Sequence, residues 1–215
     1  MSLFKRLIGL MGILAIGAGA VLAAPVGTSQ VSLNAGAAIP TWANDLDTTQ
    51  KVGPAAGARY LYQMTPNVSV GGQLDYGYLP GKTQGGSFLD VNAVDNIYTG
   101  ELVGRYSFMQ DAKWVPYVHV GIGVARIFET TRGTPSNGAT WADTGTSETR
   151  VTDREASTGF ALSFGGGLEK MLTDHLLCAM EATWNTLGAS KSRIGTSTLN
   201  FPVLSLGLGW QFGSK

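Results

Sequence analysis

Apolar and polar positions alternate with a period of two through most of this chain. Between Val203 and Phe212 the even positions are Leu204, Leu206, Leu208, Trp210 and Phe212, and the odd ones are Val203, Ser205, Gly207, Gly209 and Gln211. Successive side chains of a strand point to opposite faces, so this stretch is a strand with one apolar face and one small or polar face. The same alternation predicts strands over Val31–Ile39, Ala58–Met64, Val68–Tyr78, Tyr98–Phe108, Pro116–Ala125, Gly159–Glu169 and Leu177–Trp184. The connections alternate long and short. The long ones are the polar segment with Trp42, Asp45 and Asp47, then Pro80–Asp95, Glu129–Glu155 and Leu187–Gly195; Thr65-Pro66-Asn67, Met109–Lys113 and Lys170–His175 are short turns. Eight strands with short turns at one end and long loops at the other are the pattern of a transmembrane β-barrel. The expected fold is therefore all-β, an eight-stranded antiparallel up-and-down barrel. Its Gly-rich face suits the inside of a narrow barrel, and Glu129–Glu155 leaves room for a hairpin extension above the membrane.

Composition sharpens this reading. Of 215 residues only 14% are charged, with 15 basic and 15 acidic side chains, against about 25% charged in ordinary globular domains. The deficit follows if half of the strand side chains face lipid. No basic cluster marks a nucleic-acid partner. Lys5 and Arg6 followed by the apolar run Leu7–Leu22 and by Val21-Leu22-Ala23 form a signal peptide expected over residues 1–23, with the barrel domain over 24–215. The protein is thus expected to be exported to the outer membrane. Cys178, the single cysteine, has no partner within the chain for a disulfide. Its alternating surroundings make it a small apolar residue facing lipid.

The inward parity collects Arg59, Gln73, Asp75, Glu101, Arg105, Tyr117, His119, Glu169, Glu181 and Gln211. Eight strands leave an interior just wide enough for side chains, so these charges must be paired or solvated. One reading is a lumen plugged by Arg–carboxylate bridges, with Arg59 and Arg105 each taking a bidentate partner. The other is a narrow or gated polar passage. The outward parity carries the aromatics, among them Tyr78, Phe108, Trp184, Trp210 and Phe212, which fit a girdle at the membrane boundary. Arg126 shares that parity beyond the apolar part of its strand and is expected above the membrane.

Catalysis requires a nucleophile, a base and an orienting acid within hydrogen-bond reach. His119 is followed by Val120-Gly121, and His175 lies in an expected turn. The sequence contains no Gly-x-Ser-x-Gly, no phosphate-cradling loop and no metal-ligand spacing. The chain is expected to be neither an enzyme nor the holder of a cofactor or metal.

The stretches Pro116-Tyr-Val-His-Val-Gly-Ile-Gly-Val124, Gly165-Gly-Gly-Leu-Glu169 and Val203–Phe212 resemble the small OmpA-type and OmpW-type outer-membrane β-barrels. That resemblance implies a structural or loop-mediated role at the cell surface, or a narrow channel for small or apolar solutes. It also implies outer-membrane lipid and lipopolysaccharide as surroundings, and the barrel-assembly machinery as a partner in biogenesis. The His-x-Ser pair of the lipid A deacylase barrels is absent at His119.

Overall fold

A computed structural model describes residues 26–41, 50–82, 84–85, 89–109, 112–135, 152–189 and 198–213. The expected signal peptide, and Trp42, Asp45 and Asp47, lie outside the described residues. Nine strands follow in order: β1 Ser29–Ala38, β2 Gly53–Gln63, β3 Val68–Leu79, β4 Gln84–Gly85, β5 Leu89–Ser107, β6 Val115–Pro135, β7 Thr152–Met171, β8 Leu176–Ala189 and β9 Thr198–Phe212. All pairings are antiparallel, and each barrel strand pairs with its neighbour in sequence. β1 also pairs with β9, which closes the ring. The two-residue β4 merely hydrogen-bonds to the outer part of β5. The result is a closed eight-stranded all-antiparallel barrel. Closure is what lipid demands, because hydrocarbon offers no partner to the backbone groups of an open edge.

The register makes one face continuous around the wall. Leu33, Tyr60, Leu74, Leu102, Ile122, Leu162, Met180 and Leu206 are all exposed on the outside. The opposite parity buries Arg59, Gln73, Glu101, Arg105, His119, Ser163 and Thr183 inside. Apolar exposure on this scale is tolerable because the solvent at this face is lipid.

Several strands run further than the alternation indicates. β5 begins at Leu89, inside the expected loop Pro80–Asp95, and β8 continues to Ala189, past the expected end at Trp184. The β6–β7 ladder extends to Arg132↔Thr152, so both described ends of Glu129–Glu155 are paired strand. Ladder hydrogen bonds need no apolar face. Beyond the lipid band both faces meet water, and the hydrophobic signal ends before the strand does.

Inside the long-loop end lies an apolar cluster comprising Ala38, Ala55, Leu79, Ile97, Ala125, Ala161, Leu187, Leu199 and Phe201, with Ile127 and Val203 packed against it. The barrel interior therefore has two storeys, a polar one toward the short turns and an apolar one toward the long loops.

Candidate functional site

The polar storey is built around Arg59. From β2 its Nη1 and Nη2 donate to Glu181 Oε2 and Oε1 on β8, at 2.6 and 2.8 Å. This is the bidentate pair expected of it, spanning the lumen rather than joining neighbouring strands. Its Nε donates to Gln73 Oε1 at 2.9 Å. Gln73 Nε2 in turn donates to Glu101 Oε2 at 3.2 Å, and the Ser163 hydroxyl donates to the same oxygen. Tyr117 and Thr183 complete the Glu181 shell, each donating at 2.8 Å to Oε2 and Oε1 respectively. The guanidinium and carboxylate are 6% and 8% exposed. A pair so dry needs this many partners, since an unmatched buried charge is costly.

Arg105 departs from expectation. It forms one hydrogen bond to Glu169, from Nη1 to Oε2 at 2.8 Å, and not a bidentate pair. Its guanidinium carbon lies 3.9 Å from the Tyr117 ring centroid, and from that stacked position a single Nη meets the carboxylate. Gln30 Nε2 adds a donor to the same Glu169 oxygen at 3.1 Å. Tyr117 thus joins the two ion pairs, its hydroxyl on Glu181 and its face under Arg105.

His119 is 2% exposed and sits beside this network. Nδ1 is 3.6 Å from Glu181 Oε2, beyond a hydrogen bond, and has no hydrogen-bond partner among the described residues. Nε2 lies 3.4 Å from Thr183 Oγ1. Ser163 is committed to Glu101, so no nucleophile–base–acid chain forms through His119 among the described residues. Asp75 points inward between Gly57 and Thr99 on the flanking strands and makes no ion pair among the described residues. Gln211 reaches Thr28 at the short-turn end, with Nε2 donating to Oγ1 at 3.1 Å.

Small residues opposite make room for these groups. A Cβ at Gly165 would sit 2.8 Å from His119 Cε1, and one at Gly167 would sit 2.7 Å from the Tyr117 hydroxyl. One at Gly121 would collide with Glu101 and Ser163. The Gly-rich inner face is therefore a set of seats for large polar side chains.

Between the storeys is a cavity of about 50 Å³, lined below by Arg59, Asp75 and Thr99 and above by Ile97, Phe201 and Val203. That is room for a few waters. The alternation-based reading missed most of the apolar cluster above the cavity. Leu187 falls in what reads as a loop, while Leu79, Ile97, Leu199 and Phe201 sit just beyond the expected strand ends. Their signal was parity: each carries the odd number that marks the inward face of its strand.

On the outside, Phe108, Trp210 and Phe212 are exposed, whereas Tyr78 and Trp184 are half-buried. Tyr106 packs edge-on against Phe108 at 4.9 Å, and His175, an exposed turn residue, stacks on Trp210 at 5.5 Å. Cys178 faces outward and is partly exposed.

The family profile of the outer membrane protein beta-barrel domain matches residues 11–212. Among solved structures, Neisserial surface protein A (NspA) is similar at TM-score 0.53 and 13% identity, covering 86% of this chain and 99% of its own. Ail, the attachment invasion locus protein of Yersinia pestis, aligns at TM-score 0.49 and 11% identity over 87% of this chain and 100% of its own. OprG from Pseudomonas aeruginosa aligns at TM-score 0.46 and 14% identity over 89% and 99%. No curated protein sequence matches the chain. The closed barrel, its lipid-type outer face and the profile match over nearly the whole length agree: this chain belongs to the outer membrane protein beta-barrel domain family.

Proposed function

We propose that this protein is a structural and surface-interaction barrel of the outer membrane, with a lumen closed to solutes and no catalytic activity. The observation that carries the reading is the stacking of two different barriers across one narrow interior. The Arg59–Glu181 pair with its three additional polar partners, Gln73, Tyr117 and Thr183, spans the middle, and the Leu79–Leu187–Phe201 layer lies above it. A hydrated ion would have to displace an ion pair and then cross an apolar layer with nothing to replace its water. Contacts with other molecules then fall to the long loops and the outer wall. The outward aromatics serve as the membrane-boundary girdle, and the N-terminal 23 residues as an export signal cleaved after Ala23. The Ser163–Glu101 bond supports the non-catalytic reading, since it removes the serine from His119.

Conductance of the refolded protein in a planar bilayer tests this, with heat-dependent gel mobility confirming the folded barrel. A silent bilayer is expected. Reproducible conductance steps that change in Glu181→Gln would overturn closure and favour a narrow channel for small solutes.

A further inference from the structure

The mouth of the barrel at the long-loop end carries carboxylates in register. Asp95 on β5 pairs with Glu129 on β6, and Glu129 pairs with Glu155 on β7, so the three stand side by side at one height. All three hold the inward parity. Side chains directly opposed on neighbouring strands have Cβ atoms about 5 Å apart, and like charges placed so are destabilising. The Glu129 carboxylate is close enough for its charge to act on Asp95. The arginines of the same stretch are turned away. Arg126 and Arg154 hold the outward parity, where the Arg126 guanidinium lies 4.9 Å from the Phe128 ring and Phe128 meets Tyr98 edge-on at 5.8 Å. Asp95 makes no ion pair among the described residues.

The inner end of this row is dry and only half satisfied. Gln50 reaches it from the segment before β2, which is held by a bridge to Gly81, and its Nε2 donates to Asp95 Oδ2 at 3.0 Å. Both residues are 1% exposed. Their other oxygens, Asp95 Oδ1 and Gln50 Oε1, have no hydrogen-bond partner among the described residues. An acceptor buried without a donor is costly, and here two sit on adjoining heads beside further carboxylates. Carboxylates together with an amide carbonyl are the hard oxygen ligands that calcium takes. Magnesium suits the set less well, since it demands near-ideal octahedral geometry at shorter distances. We propose that Asp95, Gln50 and Glu129, with Glu155 at the outer end of the row, bind one calcium ion at the mouth of the barrel. No three acidic, histidine or cysteine side chains already stand at metal-holding distance among the described residues. Asp95 and Gln50 are the buried, fixed half of the site, and the half-buried Glu129 turns onto the ion from the opposing strand. Bound there, the ion ties β5 and β6 to the segment leading into β2. Nothing in this assignment depends on whether the lumen conducts.

The test is isothermal titration of the refolded protein, in phosphatidylcholine vesicles, with calcium chloride or magnesium chloride. Saturable calcium binding at one site is expected, with a dissociation constant of about 10⁻⁴–10⁻³ M, the range of extracellular calcium sites. Asp95→Asn and Glu129→Gln should each weaken it on the order of tenfold, and Gln50→Leu by less, because affinity follows the number of charged ligands. Asp174→Asn, in the short turn at the opposite end, should bind as the parent does. Heat-dependent gel mobility establishes that each variant is folded, and Glu129→Gln, which alters a half-buried side chain, decides the question even where Asp95→Asn does not fold. The site is overturned by the absence of saturable calcium binding, by parent-like binding in Glu129→Gln, or by an equal loss in Asp174→Asn. Magnesium binding as tightly as calcium would overturn calcium as its occupant.

Discussion

The two storeys of the lumen fill equally narrow space by opposite means. Around Arg59 and Glu181 the interior is occupied by charges that satisfy one another, and every large group there depends on a named partner or on a glycine seat opposite. Around Phe201 it is occupied mainly by shape, with Leu79, Leu187 and Leu199 filling the section and the buried Gln50–Asp95 hydrogen bond at its outer edge. The difference matters for how each can fail. Dispersion and burial degrade gradually as volume is removed, whereas a buried ion pair fails sharply when one member goes and the other is left unmatched.

The sharpest way to break the comparison is Glu181→Ala. It strands Arg59 and is expected to cost about 3–5 kcal/mol, read as a lowered urea midpoint for the barrel in vesicles. Replacing both members with apolar residues, Arg59→Met/Glu181→Leu, should recover most of that loss. If the double variant is as unstable as the single, partner dependence is not what distinguishes the polar storey. Phe201→Ala should cost about 3 kcal/mol, toward the low end for a buried aromatic because the neighbouring cavity lets the site relax and admit water. A loss as abrupt as that of Glu181→Ala would erase the contrast between the storeys. Smallest is Gly165→Ala, expected at about 1–3 kcal/mol from pressing on the Ala182 carbonyl as well as on His119. Combining it with His119→Ala should relieve the part due to the imidazole and leave the backbone part, and strict additivity of the two would show that the seat does not serve the histidine.

How much of this was readable beforehand can be judged from individual residues. The inward placement of Arg59, Glu101, Arg105, His119 and Glu181 followed from parity alone, because a period of two leaves no other face for them once Leu102, Val120 and Met180 are outside. Which of them would meet did not follow. Arg59 and Glu181 are 122 positions apart, and their contact depends on curvature that closes β1 onto β9. The single-bonded Arg105 was likewise invisible, since it results from Tyr117 taking the guanidinium face. The apolar storey was overlooked for a different reason. Leu187, Leu199 and Phe201 lie where the outward positions stop being apolar, and a reading based on contrast between faces ends there.

The sequence by itself determined the strand identities, the sorting of side chains between lipid and lumen, and the long–short alternation of connections. These are local consequences of pleat geometry and solvent preference, decided within a few residues of each position. Only the tertiary structure decided that the interior divides into an ion-paired and an apolar storey, that Glu181 is the acceptor around which the first is organised, and that Arg126 shares a shelf with Phe128 and Tyr98. Those facts depend on the barrel's closure and stagger, which set residues from distant strands at one height, and no local pattern encodes that offset.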